Sequence, residues 1–69
     1  MLIGFKLKVI GKNLEGKVID ETKNTLLLET DIGIKRIIKD RNRFILHMNK
    51  KEIKVNGNDI SMRPWEYAL

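Results

Sequence analysis

A chain of 69 residues with fourteen Lys and Arg against nine Asp and Glu carries a formal charge of +5 and contains no cysteine. That length leaves room for a single domain over residues 1–69 and excludes two separate cores, while the missing thiols exclude disulfides, thiolate zinc sites and cysteine nucleophiles, and the lone His47 excludes a histidine zinc pair. No apolar run approaches the roughly 20 residues of a membrane span and the N-terminus has no signal-peptide layout, so a cytoplasmic chain without membrane contact is expected, its basic surface suited to a polyanion such as nucleic acid.

Phe5, Leu7 and Val9 alternate with Lys6 and Lys8, which predicts a first strand with one apolar and one basic face. Gly11-Lys12-Asn13 interrupts it, and Leu14 to Ile19 and Thr25 to Thr30 form the second and third strands. Asp31-Ile32-Gly33 signals a tight hairpin, because glycine takes the positive φ that such a turn requires, and a fourth strand follows from Ile34 to Ile38. Residues 42 to 48 alternate Phe44, Leu46 and Met48 with Arg43, Ile45 and His47, Asn49-Lys50-Lys51 closes that fifth run, and Ile53 and Val55 mark a sixth. Asn56-Gly57-Asn58 predicts a further hairpin leading to a short strand around Ile60 to Met62. Pro64 has no amide to donate and stops the ladder, and Trp65 to Leu69 fit one helical turn.

Six or seven short antiparallel strands with regularly spaced turns predict an all-β fold, a small SH3-like or Sm-like barrel that hides most of its edges by curling on itself. A competing helical stripe runs through Ile34, Ile37, Ile38, Arg41, Ile45 and Met48 and would suggest a helix-turn-helix DNA reader. Against it, Ile and Phe favour strands, Asp40 to Asn42 are poor helix formers, and no capping residue precedes Ile34.

Asp20 and Glu21 raise the question of a catalytic acid pair or a magnesium site. Neighbours on a strand point to opposite faces, so the two carboxylates diverge, and neither a catalytic nor a metal site is predicted. Asp20, Glu21, Thr22, Asn24 and Thr25 read instead as a structural turn motif, in which side-chain oxygens reach nearby amides and Asn24 tolerates a left-handed conformation. The candidate RNA contacts are Lys12, Lys17, Lys35, Arg36, Lys39, Arg41, Arg43 and Arg63. Arg36, Arg41 and Arg43 lead, because lysines also serve to protect strand edges whereas the planar guanidinium matches a phosphate. Phe5 and Phe44 fall on core positions, while Trp65 and Tyr67 either plug the end of the barrel or dock a partner, so recognition of RNA backbone and shape fits better than base stacking. His47 reads as a structural or surface residue.

Four stretches in order carry a resemblance: Leu2-Ile3-Gly4, then Gly16-Lys17-Val18 with Asp20-Glu21-Thr22 and Asn24-Thr25-Leu26, then Lys35 to Lys39 followed by Phe44, and last Val55-Asn56-Gly57 with Arg63-Pro64. From Leu2 to Pro64 the chain resembles the archaeal ribonuclease P protein component one family, the Sm-like subunit shared with eukaryotic ribonuclease P. The resemblance implies an accessory, non-catalytic subunit that assists a catalytic RNA in removing the 5′ leader of precursor tRNA. It implies magnesium held by that RNA and no cofactor on this chain, with ribonuclease P RNA, precursor tRNA and a zinc-ribbon protein subunit as partners. Against the family pattern, Glu66 and Tyr67 stand where an arginine commonly follows the Arg63-Pro64 motif, and Ile38 replaces a common proline. The family's basic extensions at both ends are also missing, so weaker RNA binding is expected, each lost phosphate contact removing about 0.7 to 0.9 of salt slope. A protein-interaction barrel, in which another polypeptide adds to a strand edge or grips the Trp65 tail, is the alternative from a different class.

Overall fold

The computed structural model describes residues 2–61, so the candidate contact Arg63, the Pro64 stop and the Trp65 to Leu69 turn lie outside the described residues. Six strands, β1 (Lys6–Val9), β2 (Leu14–Glu21), β3 (Thr25–Thr30), β4 (Gly33–Ile38), β5 (Arg43–Met48) and β6 (Lys51–Asn56), form one antiparallel sheet in the order β4-β3-β2-β1-β5-β6. Four of the five ladders join strands adjacent in sequence. The fifth, β1 with β5, is long-range, and its register sets Leu7 opposite Leu46 and Val9 opposite Phe44.

The alternation seen in the sequence becomes a curled, small Sm-like barrel because one face of every central strand is apolar. Leu7, Val9, Val18, Leu26, Leu28, Ile37, Phe44 and Leu46 fill the interior, with Leu2 and Ile60 buried beside them and Phe5 packed at its margin. Gly16 lies opposite Leu7, where a Cβ would sit 2.4 Å from the carbonyl oxygen of Glu29, so only glycine lets β2 and the end of β3 approach this closely. Residues 2–5 run beside β2, with the Gly4 amide donating to Val18 O at 2.8 Å and the Val18 amide to Phe5 O at 3.0 Å.

Strand β2 is longer than its apolar run suggests, and it contains a bulge. The register passes from Val18 opposite Leu28 directly to Asp20 opposite Leu27, leaving Ile19 as the extra residue. The inserted residue flips the parity of the strand beyond it, so Asp20 points outward and Glu21 inward. Asp20 and Glu21 are therefore strand residues, and the connection to β3 is confined to Thr22 to Asn24.

The Asn56-Gly57 signal does not make a hairpin. Residues Gly57–Ile60 form a 3-10 turn capped by Asn56, whose side chain accepts from the Asn58 amide at 3.2 Å, and no seventh strand exists among the described residues. Gly57 is required by proximity and not by a left-handed φ, since a Cβ there would lie 1.4 Å from the carbonyl oxygen of Lys39. This contact bridges the two outer strands at one end. The turn after β4 donates from Asn42 N to Lys39 O at 3.2 Å, and Gly57 N donates to Asn42 O at 2.9 Å.

Candidate nucleic-acid interface

Two stretches distant in sequence, the β1–β2 loop and residues 36–43, bring four of the candidate cations together. The β1–β2 loop supplies Lys12, the turn between β4 and β5 supplies Arg41, and Arg43 opens β5, all around a cleft of about 500 Å³ that is also lined by Asp40, Asn42 and Asn56. An adjoining cleft of about 230 Å³ shares Lys12, Arg41 and Asn42 and adds Arg36 from β4. All four cationic side chains are exposed. Two hydrogen bonds to backbone carbonyls support them: Ile10 N donates to Arg43 O at 2.9 Å, fixing the end of β1 to β5, and the Asn42 side chain donates from Nδ2 to Ile38 O at 2.7 Å across the turn. With three cations against the single carboxylate of Asp40, the larger cleft favours a polyanion, and the arginine forks can each chelate a phosphate through paired N–H donors.

The other candidates separate from this group. Lys17 lies on the outer face of β2, between Lys6 of β1 and Glu29 of β3, and Lys35 is exposed on the edge strand β4 opposite Leu28. That outer face is mixed in sign. Glu15 approaches Lys6 Nζ at 3.4 Å and His47 Nε2 at 4.0 Å, and Glu52 lies 3.6 Å from His47 Nδ1, so acidic and basic groups alternate there and build no extended positive field.

Lys39 is not a surface contact. Its side chain is fully buried, with Nζ 2.8 Å from Glu21 Oε2, and the Glu21 side chain is equally buried. The second carboxylate oxygen, Oε1, accepts the Leu2 amide at 2.8 Å. Glu21 thus does more than end a strand: it is the interior acceptor for the N-terminal segment and for the residue after β4. Continuing the inward positions of β4 one step, from Ile37 to Lys39, would have placed the lysine inside. Nothing in the sequence marks the bulge that turns Glu21 inward to meet it.

Within the turn motif, Asp20 Oδ1 accepts the Glu21 amide at 2.8 Å and Thr22 Oγ1 accepts the Thr25 amide at 3.1 Å, with the two threonine hydroxyls 2.6 Å apart. Asn24 differs from expectation. Its φ is not positive, its carbonyl accepts the Lys39 amide at 2.8 Å, and its Oδ1 accepts the Ser61 hydroxyl at 3.4 Å. Asp20 instead faces Arg36 across Leu27, to which both are paired in register, on a cleft of about 300 Å³. Among the described residues no group of three or more His, Asp or Glu is arranged to hold a metal ion, and no helix is long and apolar enough to cross a membrane.

Comparison with known proteins shows the family of this chain. The sequence pattern of the family described as ribonuclease P/MRP, subunit p29 matches residues 2–68. "Ribonuclease P protein component 1" of Methanocaldococcus jannaschii is 38% identical over 94% of this chain and 76% of its own length, and that of Staphylothermus marinus is 38% identical over 91% of this chain and 77% of its own. The relative from Thermococcus sibiricus is also 38% identical over 91% of this chain, which spans 56% of that protein. With the family pattern running through every strand of the barrel and on past the 3-10 turn, this chain belongs to the ribonuclease P/MRP subunit p29 family.

Proposed function

We propose that the chain is an RNA-binding, non-catalytic subunit of ribonuclease P that grips the backbone of the ribonuclease P RNA and so assists it in removing the 5′ leader of precursor tRNA. The observation that carries this reading is the convergence of Lys12, Arg36, Arg41 and Arg43 on two adjoining clefts. Asp20 and Glu21 do not act as a pair in this reading: they point to opposite faces, and both oxygens of Glu21 are engaged, by the Leu2 amide and by Lys39. Catalysis and its magnesium belong in this reading to the RNA, the complex is cytoplasmic, and the zinc-ribbon subunit is the protein partner.

Binding through phosphates has a salt signature. Replacing Arg36, Arg41 and Arg43 together with alanine is expected to reduce the slope of log affinity against log salt by about 2 to 3, at about 0.7 to 0.9 per contact, with the fold intact. An unchanged affinity and slope would place the RNA surface elsewhere. Incubating the pure protein with precursor tRNA and magnesium, without the RNA subunit, is expected to give no site-specific cleavage.

A second reading has its own observation. Edge strand β4 and the turn before it expose Ile32, Ile34 and Ile38 at 76%, 60% and 43%, a surface to which a partner's strand would add. Mixing the protein separately with the zinc-ribbon subunit and with RNA discriminates the two: protein binding without RNA affinity at physiological salt favours the interaction barrel.

A further inference from the structure

We infer that Lys39, although it touches no RNA, is a positioning residue for the cationic cleft, because its buried pair with Glu21 locks the turn that presents Arg41 and Arg43. The inference rests on the RNA-binding reading above. Three groups of Lys39 anchor this turn to three different places. Its amide donates to Asn24 O at 2.8 Å, its carbonyl accepts Asn42 N at 3.2 Å and abuts Gly57, and its ammonium lies 2.8 Å from Glu21 Oε2 on β2. Asn42 passes the constraint on, accepting Gly57 N at 2.9 Å and holding Ile38 O through Nδ2 at 2.7 Å. Arg41 lies between the two anchored residues and Arg43 comes directly after them.

Stability alone does not account for an ion pair at this place. Desolvating both charges offsets most of their attraction, and well-packed apolar residues of similar volume are often as stabilising. What a buried pair supplies and two apolar side chains do not is direction, since charge and hydrogen-bond geometry constrain how the ammonium and the carboxylate meet. A turn fixed in that way presents its arginines already ordered, which removes part of the entropy cost of closing them on a phosphate backbone.

The decisive variant is the double substitution Glu21→Gln with Lys39→Met, which removes the pair without stranding one charge and keeps an oxygen for the Leu2 amide; Lys39→Met alone is the harsher companion. Both are compared with the parent chain, below the melting transition, for affinity to ribonuclease P RNA across a salt series and for amide hydrogen exchange without RNA. The expected result for the folded double variant is at least about tenfold faster exchange at Asn42 and Gly57. RNA affinity should fall about 5- to 100-fold with the salt slope unchanged, because two arginines must be ordered but no phosphate contact is lost. A slope reduced by about 0.7 to 0.9 would overturn the inference by making Lys39 a phosphate contact itself. Unchanged affinity in the folded double variant would overturn it as well. Parent protein without salt-dependent affinity would sink the RNA-binding reading and this inference with it, a result distinct from the other two because it appears before any substitution is made.

Discussion

Gly57→Ala tests the most constrained contact in the fold. The new Cβ would lie 1.4 Å from Lys39 O and 2.5 Å from Asn42 O, while ordinary contact begins near 3.4 Å, so the 3-10 turn and the end of β4 must separate by about 2 Å. That displacement removes the Gly57 to Asn42 hydrogen bond and loosens Asn42 to Lys39, both at buried residues. Leaving two buried backbone groups without partners costs about 1 to 3 kcal/mol each, and a total of about 3 to 5 kcal/mol is expected. A domain of 69 residues has about 3 to 10 kcal/mol in all, so the variant sits near the edge of folding. Urea unfolding with an m-value of about 1 kcal/mol/M would show a midpoint about 3 to 5 M lower. Had Asn56-Gly57 formed a hairpin with left-handed glycine, alanine would cost only about 1 to 2 kcal/mol. A measured loss below about 2 kcal/mol would therefore refute the close approach of the turn to Lys39.

Other substitutions probe separate links. Lys39→Met alone withdraws the ammonium from a buried carboxylate and is expected to cost about 3 to 5 kcal/mol, whereas the double Glu21→Gln, Lys39→Met variant should be less destabilised than the sum of its singles by about 0.5 to 3 kcal/mol, read from a urea double-mutant cycle. Gly16→Ala pushes a Cβ to 2.4 Å from Glu29 O and should lower the melting temperature by about 8 to 20 °C, at about 4 to 8 °C per kcal/mol. Asn42→Ala loses the Nδ2 bond to Ile38 O and should cost about 1 to 2 kcal/mol in the same assay. Lys17→Ala, on the outer face and away from the clefts, should leave stability within about 0.5 kcal/mol of the parent in the same urea assay.

Much of the architecture is legible in the chain because strands declare themselves locally. Phe5 to Val9 and residues 42 to 48 alternate with period two, and the observed β1 and β5 fall within those spans. Turn chemistry is also local, which is why the Thr22 and Thr25 contacts follow from residue type. The clustering of Lys12 with Arg41 and Arg43 is a different matter. It depends on the β1–β5 ladder, the one long-range pairing in the sheet, and on the Ile10 amide reaching Arg43 O. No periodicity within either segment specifies that partner. The Asn56-Gly57 dipeptide misleads for a related reason, since glycine answers equally to a demand for positive φ and to a demand for space, and only the neighbouring Lys39 carbonyl distinguishes them.

Residue order alone was enough for the all-β class, the six strands observed, the basic character of the surface and the family to which the chain belongs, while the hairpin expected at Asn56-Gly57 is replaced over Gly57–Ile60 by a 3-10 turn. Side-chain parity and turn preference are properties of a few adjacent residues, and they hold until a bulge or a tertiary contact overrides them, as at Ile19 and at Gly57. Which charges are available was settled by folding. One extra residue at Ile19 inverts the strand beyond it, sends Glu21 into the core, and gives Lys39 a buried partner 2.8 Å away, so one of the eight candidate RNA contacts becomes an interior support. A lysine on the surface and a lysine inside carry the same letter. Burial is set by what the fold brings against a residue, and for Lys39 that neighbour lies eighteen positions away.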